Sequence, residues 1–148
     1  MARLEFGAAV TARSTPERAF EYFADYHHVA HVLEGVTRWE PAGGGRTQGV
    51  GARYRVEMQV LGFPLRTVLR LDRWRPPEEI GWISESGLIK QEGRFRFTPV
   101  EAGVRIDLRI AYEPPAPVIG TAIARRLDPM IRARLQHALE RIRDVLEA

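Results

Sequence analysis

Near the C-terminus, Ile119, Ile123, Leu127, Ile131, Leu135, Leu139, Ile142 and Leu146 fall three or four residues apart. That spacing draws one continuous apolar stripe along a helix. Arg126, Arg132, Arg134, Arg141 and Arg143 lie off the stripe. Full burial of each large apolar side chain contributes about 1.5–3 kcal/mol before entropy is charged, too much to leave in water. The pattern predicts a helix over 119–146 that must lie on a broad apolar surface elsewhere in the chain.

The middle of the sequence supplies that surface. Ala52, Tyr54, Val56, Met58 and Val60 alternate with Arg53, Arg55, Glu57 and Gln59. Leu65, Thr67, Leu69 and Leu71 alternate with Arg66, Val68, Arg70 and Asp72, and Val104, Ile106, Leu108, Ile110 and Tyr112 with Arg105, Asp107 and Arg109. Gln91, Gly93, Phe95 and Phe97 face away from Glu92, Arg94 and Arg96. A period of two marks strands with one wet and one dry face. Turn signals separate them at Gly62-Phe63-Pro64, Pro76-Pro77, Ser86-Gly87 and Glu101-Ala102-Gly103. Short connections between such strands predict an antiparallel meander, closed by Pro114, Pro115 and Pro117.

Before the meander, residues 4–12 alternate as a strand. Ser14-Thr15-Pro16-Glu17 then opens a helix: Ser14 or Thr15 caps it, and Pro16 takes the first position, where its missing N–H costs nothing. Ala19, Phe20, Phe23 and Tyr26 point to the core, and a second short helix is expected over 27–33, ended by Gly35. The predicted fold is α+β, residues 1–148 as one unit. About seven antiparallel strands form a curved sheet, two short helices follow the first strand, and the long helix crosses the concave face. A wide twisted sheet curls. One straight helix cannot fill its hollow, so an apolar chamber is expected between them.

Composition narrows the classes. The chain has 148 residues and no cysteine, which excludes disulfides and Cys-ligated metals. Net charge is +3, with acids interleaved among the arginines rather than gathered into a basic stripe, so no nucleic-acid partner is expected. No apolar run approaches membrane-spanning length, and integral membrane association is not expected. The acidic residue in Met-Ala-Arg-Leu-Glu-Phe stands where a signal peptide needs an apolar run, so a cytoplasmic location is expected.

Residues 14–26, Ser-Thr-Pro-Glu-Arg-Ala-Phe-Glu-Tyr-Phe-Ala-Asp-Tyr, resemble the opening of the START-like (SRPBCC) superfamily, which includes birch-pollen-allergen-like and lipid-transfer domains. Trp82-Ile83-Ser84 with Glu92-Gly93-Arg94-Phe95-Arg96-Phe97, and Tyr112-Glu113-Pro114-Pro115 with Gly120, are similar to its polyketide cyclase/dehydrase branch. The resemblance spans essentially the whole chain. It implies a helix-grip fold with a central hydrophobic cavity that binds a lipid, quinone, isoprenoid or polyketide-like molecule. The family's usual Gly-Gly after the two prolines is Ala116-Pro117 here, which stiffens the approach to the last helix.

The expected ligand-contacting residues on the sheet are Tyr54, Met58, Leu69, Trp82, Gln91, Phe95, Ile110 and Tyr112. Phe23 joins them from the first helix, and Ile123, Leu127, Met130 and Ile131 from the last. The function expected is that of a carrier or sequestering protein for a hydrophobic small molecule. The alternative is an aromatic polyketide cyclase or dehydrase in the same chamber, which needs a polar group to steer an enolate and a donor for its oxyanion. Strand parity continues the apolar face of Leu69 and Leu71 to Arg73, so Arg73 and Tyr54 are the candidates; the other reading pairs Arg73 with Glu79 or leaves it in solvent. His27 and His31, at i and i+4, could share a metal ion, but no zincin-type glutamate adjoins them. No metal and no cofactor are expected. A homodimer through the outer sheet or the long helix stays open.

Overall fold

The computed structural model describes residues 4–32, 35–43, 45–60, 63–87, 90–113 and 121–148; the side chains of residues 31, 32, 60, 63, 87 and 121–128 lie outside that description. In chain order the elements are β1 (Leu4–Ala12), α1 (Pro16–Ala24), α2 (Tyr26–Val32), β2 (Val36–Pro41), β3 (Arg53–Val60), β4 (Phe63–Arg75), β5 (Glu79–Gly87), β6 (Lys90–Val100), β7 (Gly103–Glu113) and α3 (Thr121–Glu147). The strands form one antiparallel seven-stranded sheet in the order β1-β7-β6-β5-β4-β3-β2. Curled around its helices, this sheet is a helix-grip fold, as expected.

Local chemistry sets the boundaries. The Thr15 side chain caps α1 by accepting from the Arg18 N–H at 3.2 Å, with Pro16 in the first turn. Gly103, at φ +142°, opens β7 after the turn from β6, and a Cβ there would lie 2.2 Å from the Ala12 carbonyl oxygen at the end of the neighbouring β1. Along the dry face, Phe6, Val10, Tyr54, Val56, Leu69, Phe95, Phe97, Ile106 and Leu108 are buried, and from α1 so are Ala19, Phe20 and Phe23. From α3, Leu135, Ala138, Leu139, Ile142 and Leu146 complete the core. The second half of the predicted stripe therefore lies against the sheet, while Ile123 and Leu127 fall outside the described side chains.

Helix α3 also closes one edge of the sheet. The Gln136 amide donates to the Ala9 carbonyl at 3.0 Å and accepts from the Ala9 N–H at 3.4 Å. Arg132 donates to the Glu5 carbonyl, and Glu147 accepts from the Arg13 N–H at 2.8 Å. Residue numbers rise together on both sides, so α3 and β1 run the same way. An exposed strand edge invites pairing with another chain, and these side chains answer its free backbone groups. Pro129 lies inside α3, where it cannot donate to the carbonyl four residues back; the helix nevertheless continues to Glu147.

Candidate functional site

An apolar cavity of about 50 Å³ lies between the dry sheet face and the two short helices. Phe23 and Ala24 from α1 and Tyr26 and Val29 from α2 close one side. Trp39, Tyr54, Leu69, Leu71, Trp74, Ile80, Trp82, Phe95, Leu108 and Ile110 reach it from β2 through β7. Rings take much of the space between these walls. Phe23 and Phe95 approach to 4.1 Å between centroids, Trp82 and Phe95 to 5.5 Å, Tyr26 and Tyr54 to 5.6 Å. What remains has room for only a few waters.

The expected contact residues divide accordingly. Phe23, Tyr54, Leu69, Trp82, Phe95 and Ile110 line the cavity. Met58 is half-buried nearer the end of β3, paired across the ladders with Val36 and Leu65. Tyr112 is half-buried and stacks on Phe6 at 5.3 Å, while its ladder neighbour Gln91 donates its backbone N–H to the Ser84 hydroxyl. None of these three reaches the described cavity. Ile131 is half-buried against the core. Met130 is a correction: it is 41% exposed, because it lies one residue, about 100°, around the helix from Ile131.

Trp39, Trp74, Val29, Leu71, Ile80 and Leu108 line the cavity without having been expected there. Trp39 sits in a polar segment, Val-Thr-Arg-Trp-Glu-Pro, with no apolar alternation to flag it. Trp74 depends on a bulge: the β4–β5 register shifts between Leu71 and Arg73, so that Leu71 pairs with Trp82 and Arg73 with Gly81. The extra residue reverses the parity of everything after it.

That bulge also corrects the expectation for Arg73. A Cβ on Gly81 would lie 3.1 Å from both the Arg73 Cβ and the Asp72 Oδ1, so both side chains leave the same outer face. The Arg73 guanidinium, about half exposed, donates to Glu79 Oε1 at 3.1 Å. Glu79 is 3% exposed and has Arg96 at 3.9 Å on its other oxygen. Arg73 is thus an outer-face ion-pair partner.

Tyr54 does face inward, but its hydroxyl donates to the Thr47 carbonyl, tying the segment before β3 to the chamber wall. Burial, reinforced by Tyr26 and Asp25, pushes that hydroxyl up to about 12. A phenol so placed is a poor proton donor or base near neutrality. His27 donates from Nδ1 to Asp25 Oδ1 and His28 from Nδ1 to the Tyr22 carbonyl, both at 2.7 Å. The first of these holds the Asp25 carboxyl below the usual carboxylate range. The His31 side chain lies outside the description, and among the described residues no three metal-ligating side chains converge.

A larger concavity, about 810 Å³, opens on the outer sheet face. Gly7, Ala9 and Gly81 bare its backbone floor, and Asp72, Arg73, Arg94, Asp107 and Arg109 flank it. Its walls mix both signs of charge, with Arg105 paired to Asp107. Exposed ion pairs of this kind contribute little each. Size alone does not make it the better site; the smaller inner chamber is the one with a dry, apolar lining.

Comparison with known proteins agrees with this geometry. Among solved structures, TTHA0849 from Thermus thermophilus superposes with a TM-score of 0.80 at 21% identity, covering 95% of each chain. DR_A0006 from Deinococcus radiodurans gives 0.74 at 17%, covering 97% of this chain and 98% of that one. The Zhui aromatase/cyclase from Streptomyces sp. R1128 gives 0.74 at 14%, covering 97% and 94%. At such identities the likeness is one of fold. No curated protein matches the sequence. The family model described as "Polyketide cyclase / dehydrase and lipid transport" matches residues 3–147, and the chain belongs to that family.

Proposed function

We propose that the chain binds a hydrophobic small molecule, of the lipid, quinone, isoprenoid or polyketide-like kind, in the chamber on the dry face of its sheet, as a carrier or sequestering protein; the chamber expected against the last helix is lined, among the described residues, by α1 and α2 instead. The observation that carries this reading is the lining of the inner chamber. Every described wall residue is apolar or aromatic, drawn from α1, α2 and strands β2 to β7. Binding sites for small molecules are concave, mostly apolar and furnished with few polar groups.

The resting cavity is smaller than the ligand it would take, since drug-sized molecules occupy roughly 300–1,000 Å³. Binding therefore requires rings such as Phe23, Tyr26 and Trp39 to move apart. These three sit on the short helices and the edge strand β2, outside the central strands of the sheet.

Catalysis of cyclisation or dehydration is the weaker reading. Of its two polar candidates, Arg73 leaves the outer face and Tyr54 spends its hydroxyl on Thr47. The described walls thus offer neither a general base nor a cationic donor to a bound enolate.

Native mass spectrometry of freshly purified protein tests the proposal. A noncovalent adduct of lipid-like mass is expected, released on denaturation. No adduct, together with unchanged tryptophan emission on titration with fatty acids, quinones and isoprenoids, would remove it.

A further inference from the structure

One row across the outer sheet face sets two like-charged arginines between two glycines. In that row Gly7 pairs with Arg109, Arg109 with Arg94, and Arg94 with Gly81. All four line the concavity of about 810 Å³, and neither guanidinium forms a salt bridge among the described residues. Elsewhere on the same face the like pair Arg53 and Arg70 is closed by an acid, Glu85, which reaches them at 2.7 and 3.0 Å. Beside Arg94 and Arg109 the row offers only glycine. In the next row Asp107 is committed to Arg105, and Glu79 to Arg73 and Arg96.

The space where a bridging acid would lie is open. A Cβ on Gly7 would meet nothing closer than the Leu108 carbonyl oxygen at 3.8 Å, so that end of the floor is bare. At the other end the Asp72 and Arg73 side chains form a wall, each with an atom 3.1 Å from where a Gly81 Cβ would be. Two neighbouring guanidiniums repel each other, and an oxyanion that accepts from both relieves the repulsion, as Glu85 does for its pair. The volume falls within the roughly 300–1,000 Å³ of small-molecule sites. The walls set the rest of the ligand. Asp72, Glu92 and Glu5 also line the concavity, so a bare anion meets repulsion along with attraction, whereas hydroxyl groups find acceptors. Asp72 stands on β4 and Arg94 on β6, two strand intervals or about 10 Å apart. A small molecule with an oxyanion at one end and hydroxyls at the other spans that gap between the two side chains.

We infer that this concavity is a second binding site, for a hydroxylated organic oxyanion such as a sugar phosphate or a sugar acid. Arg94 and Arg109 hold the phosphate or carboxylate, and Asp72 accepts from a hydroxyl. The site lies on the opposite face of the sheet from the apolar chamber, and neither reading depends on the other.

Glucose 6-phosphate, gluconate, glucose and inorganic phosphate, titrated at low salt into the ¹⁵N-labelled full chain, test this; all four are too polar for the inner chamber. One of the two hydroxylated anions is expected to bind at least tenfold more tightly than glucose or inorganic phosphate, and to shift the amide signals of Gly7 and Gly81. Which of the two binds tells a phosphate site from a carboxylate site. Arg94→Gln and Arg109→Gln are each expected to weaken binding about tenfold, the usual loss of a charged hydrogen-bond partner. Gly7→Leu keeps every charge but raises a side chain beside Arg109, and is expected to abolish binding in a chain that still melts cooperatively. Arg55→Gln removes an exposed arginine that does not line the concavity, and is expected to change nothing. Binding no tighter than that of inorganic phosphate, or equal losses in Arg55→Gln and Arg109→Gln, overturns the inference, because either means a diffuse response to net charge. Shifts that avoid both Gly7 and Gly81 overturn it as well. Should Gly7→Leu not fold, the arginine series decides alone.

Discussion

Trp82 and Gly93 face each other directly across β5 and β6, and the indole fills the space where a Gly93 side chain would begin. A Cβ on Gly93 would lie 2.3 Å from Trp82 Cζ2 and 2.5 Å from Cε2. Glycine is needed here for room rather than for a special backbone angle. Gly93→Ala must drive the indole off its seat, and overpacking of this kind costs about 1–3 kcal/mol. The expected result is a lower urea midpoint at unchanged m-value, with a shifted tryptophan emission maximum. Unchanged emission and stability would show that the ring has somewhere else to go.

Gln136 makes a second prediction. Its amide gives and takes one hydrogen bond with the Ala9 backbone on the edge strand β1. Removing it leaves a part-buried N–H and C=O to weak solvation, at about 1–3 kcal/mol. Gln136→Ala should lower the melting temperature and speed amide exchange at Ala9, with Ala8, whose backbone faces β7, little changed. The bared edge should also aggregate faster on heating. Gln136→Glu keeps the acceptor and loses the donor, so it should fall between the two.

Much of this architecture was legible in the residues, for physical reasons. The two-residue period survives in β1, β3, β6 and β7 because each has one wet face, and the end of α1 that needs a cap carries Thr15-Pro16. What alternation could not carry was the bulge at Asp72–Arg73. One extra residue in β4 swaps Arg73 outward and Trp74 inward, and nothing in Leu-Asp-Arg-Trp marks it. Met130 is a different case, since its 100° offset from Ile131 was readable in the helical spacing. Chamber volume was not readable at all: it is the small residue between ring positions such as Phe23 and Phe95, set by rotamers rather than by pattern.

Stability at alkaline pH should depend on Tyr54. Its hydroxyl is raised from the ordinary 10.0 to about 12 in the folded chain, chiefly by burial. A raised value means that the contribution to stability is whole below pH 10 and is lost as pH climbs from 10 toward 12. The expected slope from this group is about 1.4 kcal/mol per pH unit within that window. Tyr54→Phe should flatten the alkaline limb of a melting-temperature profile. It should also increase amide exchange around Thr47, whose carbonyl loses its donor. A variant with the wild-type alkaline limb would assign the pH dependence elsewhere, with Tyr22, also raised by burial, the next group to replace.

On the outer face, Arg94 and Arg109 are direct cross-strand partners, and neither forms a salt bridge among the described residues. The comparable pair Arg53 and Arg70 is bridged by Glu85, at 2.7 and 3.0 Å. Like charges placed opposite one another destabilise a sheet, and an opposite pair contributes roughly 0.2–1 kcal/mol. Arg109→Glu should therefore stabilise the protein by up to about 1 kcal/mol. The gain should shrink as salt rises toward 1 M, where the screening length falls to about 3 Å. Arg105→Glu is the matched control. It breaks the ion pair that Arg105 makes with Asp107 at 3.2 Å, whereas Arg109 has no such pair to lose among the described residues, and it should destabilise over the same range of salt. Equal effects of the two substitutions would mean that net charge, and not the local pairing, governs this face.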